Sequence, residues 1–180
     1  MEIHKSTKFL GIYAVASILL RLLPHAPNIA PIGALALFAG ARGKSKWGLA
    51  LPLLAMAISD LFIGLYDLRL MAVVYGSFLV MGMLGRAIRK SVSAENIVIM
   101  SIVGSALFFL ATNTAVWAFS PWYAKNIGGL LESLVMGLPF WRNSLIGDLS
   151  YGALFFGAYA LAGCITYANK FIYNKANAKI

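Results

Sequence analysis

Six runs of apolar residues divide the chain, with short polar or basic segments between them. The first run is Phe9 to Leu23, interrupted by Arg21. A proline-rich corner, Pro24-His25-Ala26-Pro27-Asn28-Ile29-Ala30-Pro31, leads into a short run of small residues from Ile32 to Ala41. The third run is Trp47 to Leu65 and contains Ser59 and Asp60. The fourth is Leu70 to Leu84, the fifth is Ile97 to Phe119 around Thr112-Asn113-Thr114, and the sixth is Leu149 to Ala168. A spanning helix takes about 20 apolar residues, so this pattern predicts an all-α integral membrane protein of about six transmembrane helices.

Two segments depart from the simple pattern. The second run makes only about 15 Å of helix. Either its helix begins within the proline-rich corner, or its neighbours shield it. Gly33, Ala34, Ala36, Ala39, Gly40 and Ala41 suit close helix contact. Between the fifth and sixth runs, Ile127, Leu130, Leu131, Leu134 and Val135 recur at helical spacing. They predict a short outer interfacial helix over Asn126 to Leu138, ended by Pro139. Asn143 or Ser144 then caps the last helix, and Asp148 sits in its first turn, where a carboxylate favours the dipole.

Composition supports lipid as the solvent. Of 180 residues, 61% are hydrophobic and only 12% charged, against about a quarter charged in a soluble domain. The length suits a single transmembrane domain over residues 1–180. The net charge of +9 would suit nucleic acid, but the basic residues lie in short clusters between apolar runs. That is the positive-inside pattern, and no nucleic-acid partner is expected. With the N-terminus inside and six crossings, eleven basic residues face the cytoplasm: Lys5, Lys8, Arg42, Lys44, Lys46, Arg86, Arg89, Lys90, Lys170, Lys175 and Lys179. Only Arg21, Arg69, Lys125 and Arg142 fall in the outer half. The expectation is a multi-pass protein of the cell inner (cytoplasmic) membrane with both termini cytoplasmic. Ala14-Val15-Ala16 resembles a signal-peptide cleavage site, but the apolar run continues past it, so a spanning helix is preferred. The single cysteine, Cys164, has no disulfide partner, and no Cys/His cluster has metal-ligand spacing. No metal and no cofactor are expected.

Depth points to candidate chemistry. Counted from the inner ends of their runs, Arg21 lies about 18 Å deep, Asp60 about 20 Å and Asn113 about 24 Å. All three reach the outer part of the membrane. Asp148 lies at the outer mouth of the last run. His25, Asn28, Trp117, Trp141, Arg142 and Asn143 belong to outer loops or helix ends, as do five of the six prolines. A polar residue inside a span is costly and usually faces the bundle interior or a cavity, so several at one depth suggest a shared outward pocket. Each also has a plainer role. Arg21 and Asp60 can pair structurally, Asn113 can join two helices, Asp148 can serve a helix dipole, and the tryptophans can form an interfacial belt.

Three stretches carry a family resemblance. Arg21 to Asn28 running into Pro31 to Ala41, then Pro52 to Gly64, then Pro139 to Leu149, resemble the signatures of an uncharacterised family of small membrane proteins assigned to transport. That family is in turn similar to the substrate-binding S components of energy-coupling-factor (ECF) transporters. The resemblance implies an S-component-like bundle with a vitamin-sized pocket near the outer face. It also implies coupling to a transmembrane T subunit and two ATPases. S components dock the T subunit through small-residue faces on the first helix. Here Gly11, Ala14 and Ala16 are present without an Ala-x-x-x-Ala repeat, and the second run is richer in small residues. A solitary transporter is the other reading.

The leading expectation is a substrate-binding membrane transport protein for uptake of a small vitamin- or metabolite-sized molecule. Its partners are the lipid bilayer, a small-molecule substrate and an ECF T subunit with ATPases. The expected substrate-binding residues are Arg21, His25, Asn28, Asp60, Asn113, Trp117, Trp141, Arg142, Asn143 and Asp148. Arg21 and Arg142 would neutralise an anionic group, Asp60 and Asp148 would bind a cation or accept hydrogen bonds, and the tryptophans would stack on a ring. The alternatives are an intramembrane enzyme with Asp60, His25 or Asp148 as acid or base, and a structural membrane protein without ligand. No motif joins nucleophile, base and orienter, so catalytic residues are not expected.

Overall fold

The computed structural model describes the backbone of residues 2–24, 26–43 and 47–177, and the side chains of 6–24, 26–43 and 48–168. Within these residues the protein is all-helical, with six helices: α1 (Glu2–Leu22), α2 (Ile32–Arg42), α3 (Trp47–Ile63), α4 (Leu68–Ala87), α5 (Ala94–Phe119) and α6 (Ile127–Asn177). Three are long and apolar enough to cross a membrane, namely α4, α5 and the stretch Ile127–Ala168 of α6. Ile32–Arg42 and Gly48–Ile63 are shorter apolar helices. Apolar side chains such as Leu61, Phe62, Leu68 and Leu161 lie on the surface, as expected where lipid replaces water.

Local chemistry sets the helix ends. Asp67 caps α4, its carboxylate accepting from the backbone N–H groups of Arg69 and Leu70. Ser93 caps α5 by accepting from Asn96 N–H. These caps start both helices before their apolar runs begin. Gly64 stops α3 with φ of 116°, a left-handed conformation that favours glycine.

Helix α2 is the centre of the molecule. Every residue from Ile32 to Ala41 is buried, and α2 packs against each of the other five helices. Shielding by neighbours thus resolves its short length. The contact with α4 is backbone to backbone. A Cβ on Gly40 would strike the Gly82 carbonyl, and one on Gly85 would strike the Leu37 carbonyl. Charges from elsewhere sit at both ends of α2. At its N-terminus Asp148 of α6 accepts from Ala34 N–H. At its C-terminus Arg89 donates to the carbonyls of Gly40 and Gly43. Both signs suit the helix dipole. Around Phe38, the rings of Tyr13, Phe156 and Tyr159 meet edge to face. Tyr13 also stacks on Phe155 with centroids 4.2 Å apart and donates to its carbonyl.

One expected element is corrected. No separate interfacial helix ends at Pro139; α6 runs without interruption from Ile127 to Asn177 with Pro139 inside it. A proline removes one intrahelical hydrogen bond and crowds the preceding turn, but packing on both sides of it holds the helix. Ser133 and Gly137 before it engage α5, and Gly147 and Asp148 after it pack on the 26–34 region. Asn143, Ser144 and Asp148 are consequently mid-helix residues and not a cap and first turn. Ser144 Oγ donates back to Phe140 O within the same helix.

Candidate functional site

The short central helix creates a cavity. Helix α2 begins only at Ile32, and residues of α1, α3, α4, α5 and α6 line the cavity together with Ile32 and Gly33 at that end. The chain reaches Ile32 through an extended proline-rich corner instead of another helical turn. The space above the α2 N-terminus is a cavity of about 590 Å³, within the range of small-molecule sites. Its floor is Ile32 and Gly33, and its rim is Leu23, Pro24, Asn28 and Ala30 of the corner. Its walls come from Arg21 and Leu22 of α1, Met56 and Ile63 of α3, and Tyr66 of the α3–α4 loop. Val74, Ser77, Phe78 and Met81 of α4, Gly104 and Phe108 of α5, and Ser144 and Asp148 of α6 complete them.

The corner is held in one shape. Ile29 N–H donates to Ala26 O, with Pro27 and Asn28 between them and Asn28 at φ 64°. That is a type II turn, in which proline suits the second position and asparagine tolerates the left-handed third. From α6, Asn143 Nδ2 donates to Pro27 O at 3.0 Å and fastens the turn to the bundle. Asn28 thereby meets the cavity.

Two charged groups differ sharply in how they are partnered. Arg21 Nη2 pairs with Asp60 Oδ1 at 2.7 Å. Its Nη1 donates to Ser59 Oγ and to Met56 O. Asp60 is almost fully buried, and its second oxygen accepts from Tyr75 OH at 2.8 Å. The carboxylate of Asp60 is therefore enclosed behind Arg21 and does not line the cavity. Tyr66, in the loop beside this pair, has its phenol pushed up to about 12, mainly by burial and also by the Asp60 charge. Asp148 of α6 also lines the cavity and is 7% exposed. It packs so closely on Gly33 that any Cβ there would overlap its carboxyl group. Among the described residues Ala34 N–H is its polar partner, and no basic side chain pairs with it.

The expected site residues thus separate into groups. Arg21, Asn28 and Asp148 line the cavity, and Asp60 adjoins it through Arg21. Asn143 supports the rim. Asn113 lies at the α5–α6 contact, donating to Phe109 O and packing on Gly137, while its carbonyl accepts from Ser133 Oγ. Trp117 Nε1 donates to Ala124 O and braces the α5–α6 loop. Trp141 stacks on Phe109 at 5.5 Å, and Arg142 is exposed. None of these last four lines the cavity. His25 lies outside the described residues. Tyr75 and Tyr66 were not among the expected residues. The hairpin of α3 and α4 sets Tyr75 opposite Asp60, and a tyrosine inside an apolar run needs a partner for its hydroxyl.

Both oxygens of Asp60 are engaged and closed off. Asp148 lines the cavity together with Ser77 and Ser144, whose hydroxyls donate to Val73 O and Phe140 O, and no second carboxyl lines it among the described residues.

Residues 1–171 match the model of a family of unknown function, DUF6580. No curated protein and no solved structure matches the chain.

Proposed function

This chain belongs to the DUF6580 family of unknown function, and from its cavity we infer a substrate-binding membrane transport protein that takes up a small metabolite-sized molecule. The observation that carries this reading is the cavity of about 590 Å³ above the α2 N-terminus, lined by all six helices and holding a few fixed polar groups. A purely structural bundle would fill such a space with side chains, because interiors are close-packed. The Arg21–Asp60–Tyr75 network supports the site as a rigid wall, and the fastened turn at Asn28 supports a preformed rim, which lowers the ordering cost of binding.

The positive-inside distribution favours an inner-membrane location with both termini cytoplasmic and the cavity facing out. The resemblance to ECF S components favours an S-component-like role beside a T subunit and ATPases, with solitary transport as the other arrangement. The chain carries no Walker A motif, so any ATP hydrolysis belongs to a partner.

Access to the cavity tests this reading. In a Cys164→Ser background, Ser77→Cys places a thiol on the cavity wall. A membrane-impermeant thiol reagent is expected to modify it from outside intact cells. Modification only from the cytoplasmic side of inverted vesicles contradicts uptake, and modification from neither side makes the cavity a closed void.

A further inference from the structure

Resting on the reading of this cavity as a binding site, we propose that its ligand is an amphipathic organic cation, an apolar body bearing one ammonium group that pairs with Asp148. The charges around the cavity lead to this class. Arg21 points toward the space, yet its guanidinium is committed to Asp60, Ser59 and the Met56 carbonyl. With that pair neutral, Asp148 is the one remaining carboxyl in the described lining and the group an ammonium would pair with.

Asp148 is built to receive a cation. A carboxylate offers about four acceptor positions, and Ala34 N–H is the polar partner it has among the described residues. A buried carboxylate needs a counter-charge or a proton, and an ammonium in the cavity supplies the first. An anionic ligand would meet the opposite situation. The usual anion position at a helix N-terminus is here taken by the Asp148 carboxylate itself, and Arg21 is already paired. Most of the remaining surface fits an apolar body: beside Asn28, Tyr66, Ser77 and Ser144 it offers Leu22, Met56, Val74, Met81 and the adjacent rings of Phe78 and Phe108, whose centroids lie 5.1 Å apart. Aromatic faces also attract an ammonium group.

Three near-isosteric probes separate charge from shape: tryptamine, tryptophol and indole-3-propionate, titrated calorimetrically into the full chain in lipid nanodiscs. Tryptamine is expected to bind at least about tenfold more tightly than tryptophol, the factor a single charge-assisted contact supplies, and indole-3-propionate to bind most weakly. Asp148→Asn should bring tryptamine down to the tryptophol level while leaving tryptophol nearly unchanged. Ser77→Phe, which puts a phenyl ring into the cavity and leaves the Asp148 carboxyl in place, should remove both, and it keeps the test decisive if Asp148→Asn fails to accumulate. Equal or tighter binding of tryptophol or indole-3-propionate by the native chain would overturn the ligand class and leave a binding protein standing. Tryptamine binding that survives Ser77→Phe would place it outside the cavity and overturn the assignment. Binding of none of the three also overturns the class, and a native mass spectrum then judges the parent reading separately.

Discussion

Replacing Arg21 by methionine tests the wall of the cavity. The substitution keeps an unbranched flexible stem and removes the guanidinium with its charge. Asp60 is 1% exposed and Arg21 15% exposed, so the two partners are not equivalent. Without Arg21, the Tyr75 hydroxyl is the one side-chain donor that Asp60 retains among the described residues. Breaking a buried pair from one side costs about 3–5 kcal/mol, against a typical total stability of about 5–15 kcal/mol. Removing the other charge should cost less. In Asp60→Asn the guanidinium keeps Ser59 and the Met56 carbonyl and borders the cavity, so a loss of about 1–2 kcal/mol is expected. The double variant Arg21→Met with Asp60→Leu strands no charge and should recover most of the stability lost in Arg21→Met alone. Equilibrium unfolding in mixed micelles, with membrane abundance measured alongside, gives all three values. Equal losses from the two single variants that simply add in the double variant would refute the pairing argument.

Glycine contacts give a second test. Gly85→Ala should destabilise by about 1–3 kcal/mol because the new Cβ meets the Leu37 backbone, whereas Gly76→Ala, with nothing within 4 Å, should be neutral or stabilising in the same melts. Equal effects would mean that α2 and α4 are not in backbone contact. Asp67 gives a pH signature. The Arg69 hydrogen bond holds its carboxyl down at about 2 in the folded chain, below the ordinary value of about 3.9. A depressed folded value stabilises above the unfolded value and is lost as pH falls through the folded one. The melting difference between native protein and Asp67→Ala should therefore be flat above about pH 4 and close toward pH 2. A difference that stays constant through that range contradicts the cap.

The depth of residues along the chain was readable, and their direction around each helix was not. Arg21 and Asp60 fall at similar distances from the inner ends of their runs, and they do meet. Asn113, Trp117, Trp141 and Arg142 lie in the same end of the sequence pattern, but they are turned to the α5–α6 contact, the loop or the surface. A shared depth says nothing about azimuth when runs are apolar on every side. Asp148 was visible as a carboxylate near a helix end. The helix it serves is α2, a neighbour more than a hundred residues earlier in the chain, and local spacing cannot reveal that. Pro139 misled for a related reason. Local propensity ends a helix there, while contacts on both flanks carry α6 through. The small residues of the second run did announce close packing, and Gly40, Gly82 and Gly85 realise it.

The transport reading turns on whether the cavity above α2 holds a small molecule. A native mass spectrum of the chain, released from lipid nanodiscs without detergent exchange, tests it most directly when native protein is compared with Ser77→Phe. A discrete adduct of metabolite mass is expected on the native chain, absent from Ser77→Phe, and exchangeable for an added cationic amine. The same adduct in equal amount on both proteins, or lipid adducts alone on both, would contradict that reading.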